Sequence, residues 1–246
     1  MSLSHKSVAA ALAAAPLLAP YAMASPFDVD STSIAKTWEL KSVFEYRDGA
    51  ERDTAIFPKL ALARPLGADL EAEIATSYRA LKTNERSQYG FADSTVEMKW
   101  RFAHETQSRP AFVVAPELSL PTGNAKRGLG NAHAALVVPL VAQKSFGRFT
   151  LNGKLGYGRQ FGEPHEEIFP LGVLLRYEPR DSLELGAEIA GEAPRSGWGD
   201  CELSSNVGFK WAATSRLEIH GLLGQTIRTP DSADTTRGKL VFEYHF

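Results

Sequence analysis

Residues 238–246 read Gly-Lys-Leu-Val-Phe-Glu-Tyr-His-Phe, and their side chains alternate in kind. Leu240, Phe242, Tyr244 and Phe246 recur at every second position, with Lys239, Glu243 and His245 in the opposite phase. Period two marks a strand with one apolar and one polar face. At the edge of a soluble sheet such a strand would set unpaired backbone groups beside an aromatic face, which invites aggregation. Inside a closed barrel in lipid it pairs on both sides and the hazard disappears. The segment therefore favours a transmembrane barrel, and the Phe246 strand is the expected contact for the barrel-assembly machinery.

The other terminus agrees. Residues 1–24 carry His5 and Lys6, then an apolar run from Val8 to Leu18, then Ala22-Met23-Ala24. A basic start, a short apolar stretch and a small-x-small site are the parts of a secretory signal, cleaved here before Ser25. The run is too short for a membrane anchor and is interrupted by Pro16 and Pro20. Export to the bacterial outer membrane follows as an expectation, with 25–36 as a short periplasmic segment and 37–246 as the barrel. Residues 25–36 are too few for a plug domain, though long enough to tuck into a lumen as a hatch.

After residue 24 no apolar run reaches the roughly 18–20 residues of a spanning helix. Mean hydropathy is −0.20, which a barrel tolerates because its two faces average out. A formal net charge of −2 and the lack of a basic tract argue against nucleic acid as a partner. The lone Cys201 excludes an internal disulfide.

Alternation repeats along the whole chain and predicts an all-β, antiparallel, up-and-down transmembrane barrel of about twelve strands. The expected strands are 37–47, 54–64, 70–81, 91–102, 110–120, 131–143, 149–157, 168–177, 183–190, 201–211, 216–225 and 238–246. The fourth is the cleanest, with Val96, Met98, Trp100 and Phe102 opposed to Glu97, Lys99 and Arg101. Pro58 weakens the second. An even count puts both termini on one side, as single-chain bacterial barrels require. Connections after the even strands are short, and most of those after the odd strands are longer and rich in Gly and Pro, matching short periplasmic turns and longer outer loops. Trp38, Trp100, Phe102, Phe149, Tyr177, Phe209, Trp211, Tyr244 and Phe246 fall at one rim, and Tyr46, Tyr78, Tyr157 and Phe169 at the other. Two aromatic girdles are what a bilayer demands. A soluble sandwich would bury its aromatics near mid-strand instead.

If the apolar faces meet lipid, the charged faces meet inside. The lumen-lining candidates are Lys41, Glu45, Glu73, Arg79, Glu97, Lys99, Arg101, Lys154, Arg176, Glu188 and Lys210, with Glu39, Glu218, His220, Glu243 and His245 in the same phase. Mixed signs argue against a single-sign selectivity ring, and such charges also pair across strands merely to solvate a lumen. Twelve strands give a bore between the filled eight-stranded and the open sixteen-stranded case.

Residues 117–123 read Glu-Leu-Ser-Leu-Pro-Thr-Gly; Gly128 and Gly130 follow, then Lys144-Ser-Phe-Gly147 and Leu151-Asn-Gly-Lys-Leu-Gly-Tyr157. This stretch resembles the outer-membrane family named after the meta-pathway of phenol degradation. The resemblance implies an outer-membrane barrel that admits small compounds, often aromatic, and brings no functional residue with it. The expected function is a passive channel for small solutes, hydrophobic or aromatic compounds among them, with outer-membrane lipid and the solute as partners and no cofactor or metal.

Two other classes stand beside it. A structural or adhesion barrel would keep a closed lumen and display loop aromatics such as Tyr89 and Trp198. A lipid hydrolase would need a Ser activated by an oriented His. Only Glu218 and His220 have the spacing of an orienting pair, at the periplasmic start of their strand, so an enzyme is not expected. His165-Glu166-Glu167 reads as a solvated loop rather than a cation site.

Overall fold

The structure is a computed structural model describing residues 25–49, 52–83, 86–163, 166–229 and 235–246; the expected leader, 1–24, lies outside these. Twelve strands close on themselves. They are β1 (Glu39–Gly49), β2 (Arg52–Pro65), β3 (Leu70–Thr83), β4 (Ser87–Phe91 continuing as Ser94–Ala103), β5 (Ala111–Val114 continuing as Glu117–Leu120), β6 (Ala135–Phe146), β7 (Phe149–Gln160), β8 (Glu167–Arg180), β9 (Leu183–Pro194), β10 (Glu202–Ala212), β11 (Leu217–Arg228) and β12 (Thr235–His245). Each pairs antiparallel with its neighbours in sequence. β1 also pairs with β12, Val43 opposite Val241, so the sheet has no free edge. Phe246 N–H donates to the carbonyl of Trp38, which puts both ends of the barrel at one rim, the inner mouth.

Alternation divides each strand between two environments. Phe44, Ile74, Leu155, Val173, Val207 and Leu223 stand out from the wall, while Glu45, Lys99, Glu188, Asn206 and His220 are buried inside. A soluble protein does not expose such an apolar band with its charges sealed within; lipid is the solvent that matches it. The girdles are in place. At the inner rim Phe149 stacks on Tyr177 with centroids 4.8 Å apart and Trp100 meets Phe102 at 5.7 Å. At the outer rim Tyr78 meets Phe91 at 5.5 Å and Tyr157 meets Phe169 at 5.7 Å. No helix among the described residues is long and apolar enough to cross a membrane, which says nothing of strands.

The outer connections differ from expectation. β1 and β2 are joined through residues 50–51 alone, and β3 and β4 through 84–86, because these strands run further outward than their apolar pattern does. Above the bilayer both faces of a hairpin meet water, so strand continues without alternation to reveal it. Tyr89, expected in a loop, stands on β4, with Arg127 6.0 Å from its ring. Trp198 lies in a 3-10 turn, Trp198–Asp200. Pro58 sits at a register shift towards β3, between Ile56 and Lys59, where a missing N–H is tolerated.

The fourth strand, cleanest by pattern, is broken at Ala92 and Asp93, and the fifth at Ala115 and Pro116. The first break frees Asp93 to hold the loop that follows β5. Its carboxylate accepts from Gly123 N–H at 2.9 Å and from Asn131 N–H at 2.7 Å. A Cβ on Gly130 would collide with that carboxylate, and one on Gly123 would press on the Asp93 backbone. Gly128 has φ 71° and closes the 3-10 turn Ala125–Arg127, and Leu129 is buried. The Pro-Thr-Gly and Gly-x-Gly residues are thus the parts of an inward-folded loop. Asp93→Ala removes two charge-assisted hydrogen bonds, each about 1.5–3 kcal/mol. The variant is expected to expose residues 121–134 to limited proteolysis while the barrel still migrates as a folded species on unheated gels; an uncut loop contradicts this anchoring role.

Candidate functional site

Residues 25–36, expected on the periplasmic side, run inside the barrel, where the hatch option put them. Phe27 and Val29 are almost fully buried and pack with Leu174, Ala190 and Leu222 of the wall. The wall makes room for them. Gly186 on β9 pairs with Gly208 on β10, and a Cβ on Gly186 would run into the Phe27 ring. A Cβ on Gly172 of β8 would crowd Val29 in the same way. Glycine in a strand interior is unfavourable unless another group approaches closely, and here an aromatic ring does.

The acidic residues alternate with the apolar ones and take the opposite contacts. Glu188 accepts from the N–H groups of Asp28 and Val29, both at 2.9 Å, and from Asn206 Nδ2 at 2.9 Å. Arg237 grips Asp28 with two nitrogens, at 3.2 and 2.5 Å. Lys99 Nζ lies 2.8 Å from Asp30 Oδ2. Gln143 accepts from Thr32 N–H at 3.1 Å, and Glu71 accepts from Ala35 N–H. Asn152 and Lys154 donate to the carbonyls of Asp30 and Asp28. Among the described residues every hydrogen bond between segment and wall involves a wall side chain, and none is a strand pairing.

The segment divides the lumen. On the outer side lies a chamber of about 100 Å³, whose lining mixes Val137, Pro139, Ile168 and Pro170 with Arg47 and Lys154. On the inner side lies one of about 440 Å³, lined largely by charge, including Lys41, Glu73, Arg176 and Lys210. Glu97 and Glu117 border both chambers. These two carboxylates, on β4 and β5, therefore stand where the two chambers adjoin.

The sequence-derived candidates distribute as follows. Lys41 joins Glu73 at 3.1 Å in the inner chamber. Glu45 pairs with Arg47 at 2.5 Å. Arg176 bonds Asn152, Glu184 and Gln143 at 3.0, 2.7 and 2.9 Å. Lys210 borders the inner chamber. Lys99, Lys154 and Glu188 hold the segment, and Glu97 stands at the waist. Arg79 lies apart, in a cavity beneath the inward loop with Asp93 and Leu129. Arg101 is drawn to the β2–β3 turn, 2.8 Å from Asp69. Its hydrogen bond, helped by His104, holds the Asp69 carboxyl below the usual carboxylate range.

The pattern missed Asn152, Asn206, Gln143 and Arg237. Asn152 and Asn206 share the phase of the inward charges and so were findable. Arg237 was not, because β12 starts at Thr235, before its aromatic ladder begins.

A family model described as the MetA-pathway of phenol degradation matches residues 40–191. The COG4313 outer membrane channel from Pseudomonas putida F1 has a similar structure, with a TM-score of 0.72 at 13% identity, over 90% of this chain and 99% of that one. The translocator domain of the autotransporter NalP from Neisseria meningitidis gives 0.59 at 11% identity, over 89% and 91%. The KdgM porin, in complex with disordered oligogalacturonate, gives 0.57 at 11% identity, over 85% and 99%. At such identities these likenesses speak for the fold. No curated protein matches the chain. The family match covers more than half of the chain, includes the loop that Asp93 anchors and the residues that flank Phe27 on β8 and β9, and settles the matter of kinship: the chain belongs to the phenol-degradation MetA-pathway family.

Proposed function

We propose that the protein is a passive outer-membrane channel for small solutes, closed at rest by its own residues 25–36. One observation carries this reading. The obstruction between the two chambers is held by side chains alone, so it can leave without unpairing any strand. The solute gradient supplies the driving force. The outer chamber sets apolar Val137, Pro139, Ile168 and Pro170 beside Arg47 and Lys154, a lining suited to small amphipathic molecules such as hydroxylated aromatic rings. The family's association with phenol degradation and the channel or porin character of the COG4313 and KdgM proteins support the same class.

A structural barrel with a closed lumen is the rival. It needs no removable obstruction. A hydrolase is weaker: His220 does meet Glu218 at 3.0 Å, but its Nδ1 has no hydrogen-bond partner, hydroxyl or otherwise, among the described residues.

The test is ion conductance of the purified protein in planar bilayers, with phenol added to one side, beside flux of phenol into proteoliposomes. Discrete openings and phenol flux above that of empty liposomes are the expected result. Silence of both the wild-type chain and a chain lacking residues 26–35 would leave the closed structural barrel.

A further inference from the structure

One level of the wall carries almost no side chains. Ala115 of β5 faces Pro139 of β6, to whose carbonyl its N–H donates at 3.1 Å. Pro139 stands opposite Gly156 of β7, and a Cβ on Gly156 would press on both Pro139 and Pro170 of β8. Ala115, Pro139 and Pro170 line the outer chamber beside Val137 and Ile168. On this side the chamber is bounded by an apolar wall little more than one backbone thick.

The same level is poor in hydrogen bonds. An antiparallel hydrogen-bonded pair exchanges two N–H bonds, and proline has no N–H to give. Pro139 therefore cannot return the bond that it accepts from Ala115. Across the other edge of β5, Pro116 accepts from Met98 N–H at 3.0 Å and returns nothing. Between β7 and β8 the pairing lapses from Leu155–Leu171 to Gly158–Ile168, with Pro170 in the gap. Proline is ordinarily kept out of strands paired on both sides; here three stand at one level between β5 and β8.

Outside the wall, the break in β5 is backed by a groove of about 530 Å³, lined by Leu70, Met98, Trp100, Val114 and Pro116. Trp100 belongs to the inner girdle, so the groove opens into the inner-leaflet half of the bilayer. Chamber and groove thus lie on opposite faces of the Ala115–Pro116 break.

We propose that small uncharged aromatic compounds leave the outer chamber sideways, between β5 and β6 at Ala115 and Pro139, and enter the bilayer along this groove. The proposal rests on the channel reading above and adds the route. The straight path runs past residues 25–36 into a chamber lined largely by charge, where apolar surface gains nothing. The sideways path meets apolar side chains throughout, from Val137 and Pro139 to Pro116, Met98 and lipid. At the Ala115–Pro139 pair it parts one hydrogen bond rather than two, and it leaves the segment docked.

The test uses the full-length chain in intact cells with N-phenyl-1-naphthylamine, an apolar aromatic probe that fluoresces on reaching the membrane interior. Val114 and Leu140 are opposed on β5 and β6 and flank the Ala115–Pro139 pair as a non-hydrogen-bonded pair, whose Cβ atoms come within disulfide reach. In a Cys201→Ser background, Val114→Cys with Leu140→Cys is expected to slow probe uptake several-fold when oxidised and to restore it on reduction. Val207→Cys with Leu223→Cys, opposed on β10 and β11, is expected to leave uptake unchanged. Pro116→Ala with Pro139→Ala supplies both missing donors and is expected to slow uptake several-fold without a crosslink. Ion conductance of the purified variants in planar bilayers is expected to match wild type throughout. Uptake indifferent to the β5–β6 crosslink and to the restored donors, in a chain that conducts, overturns the sideways route and leaves the channel reading standing. Equal slowing by the β10–β11 crosslink overturns the route as well. A chain that neither conducts nor speeds probe uptake beyond that of cells without it overturns both.

Discussion

A chain lacking residues 26–35 stays open through most of a recording at a fixed voltage, where the wild-type protein shows only brief and infrequent openings. The reason lies in what the segment occupies. It lies between the outer chamber and the larger inner one, which share Glu97 and Glu117 in their linings. Its removal deletes no strand, so the barrel is expected to fold and to keep its gel migration. Gly186→Leu gives the same outcome without a deletion, because a branched side chain at that position takes the space of the Phe27 ring. Displacing Phe27 and Val29 from the wall forfeits about 1.5–3 kcal/mol of apolar burial for each, enough to tip a segment held only by side chains. Single-channel recording checks both variants. Equal open probability in the wild-type, deleted and Gly186→Leu chains contradicts the role assigned to the segment.

Glu188→Ala opens the channel nearly as far as the deletion does. The carboxylate satisfies two consecutive backbone N–H groups and Asn206 at once. Two charge-assisted hydrogen bonds at about 1.5–3 kcal/mol each shift the balance between docked and released segment by about 100-fold or more. Glu188→Gln retains one acceptor oxygen and is expected to fall between the two. Asp28→Asn serves as the companion: it weakens the Arg237 clamp but leaves Glu188 in place, so it is expected to open the channel less than Glu188→Ala. Open probability at a fixed voltage ranks the series. A Glu188→Ala chain as silent as wild type would show that the segment is held elsewhere.

The barrel was legible in the sequence because lipid and lumen impose opposite demands on successive residues. β3, from Leu70, and β9, from Leu183, begin where alternation begins, and the girdle residues Trp100, Tyr177 and Tyr157 stand at the rims their positions predicted. Alternation fails where only one demand acts. Arg52, Asp53 and Ser87 are strand, but they lie beyond the reach of the apolar face and carry no alternation to reveal it. The breaks at Ala92–Asp93 and Ala115–Pro116 were hidden for a different reason. Asp93 kept the inward phase, and nothing local revealed that it turns to hold a loop thirty residues away. Alternation gives the face of a charged side chain but not its height along the barrel, which is why Arg101 ends at a turn and Arg79 beneath a loop. The segment itself offers a faint sign, apolar Phe27 and Val29 alternating with Asp28 and Asp30. Its partners Gly172 and Gly186 read in isolation as weak points of strands, and the approach of Val29 and Phe27 accounts for the side chains missing there.

The central claim is that one face of this wall touches lipid while the other encloses a divided, water-lined lumen. Single cysteines placed in a Cys201→Ser background, with the protein in liposomes, test it most directly. Ile74→Cys, Val173→Cys and Leu223→Cys are predicted to crosslink to a photoactivatable lipid and to resist a membrane-impermeant maleimide. Glu97→Cys and Glu192→Cys are predicted to react with the maleimide and to ignore the lipid, and Val29→Cys to react only once Glu188 is replaced by Ala. Maleimide labelling of Ile74→Cys and Val173→Cys as fast as that of Glu97→Cys would contradict the account.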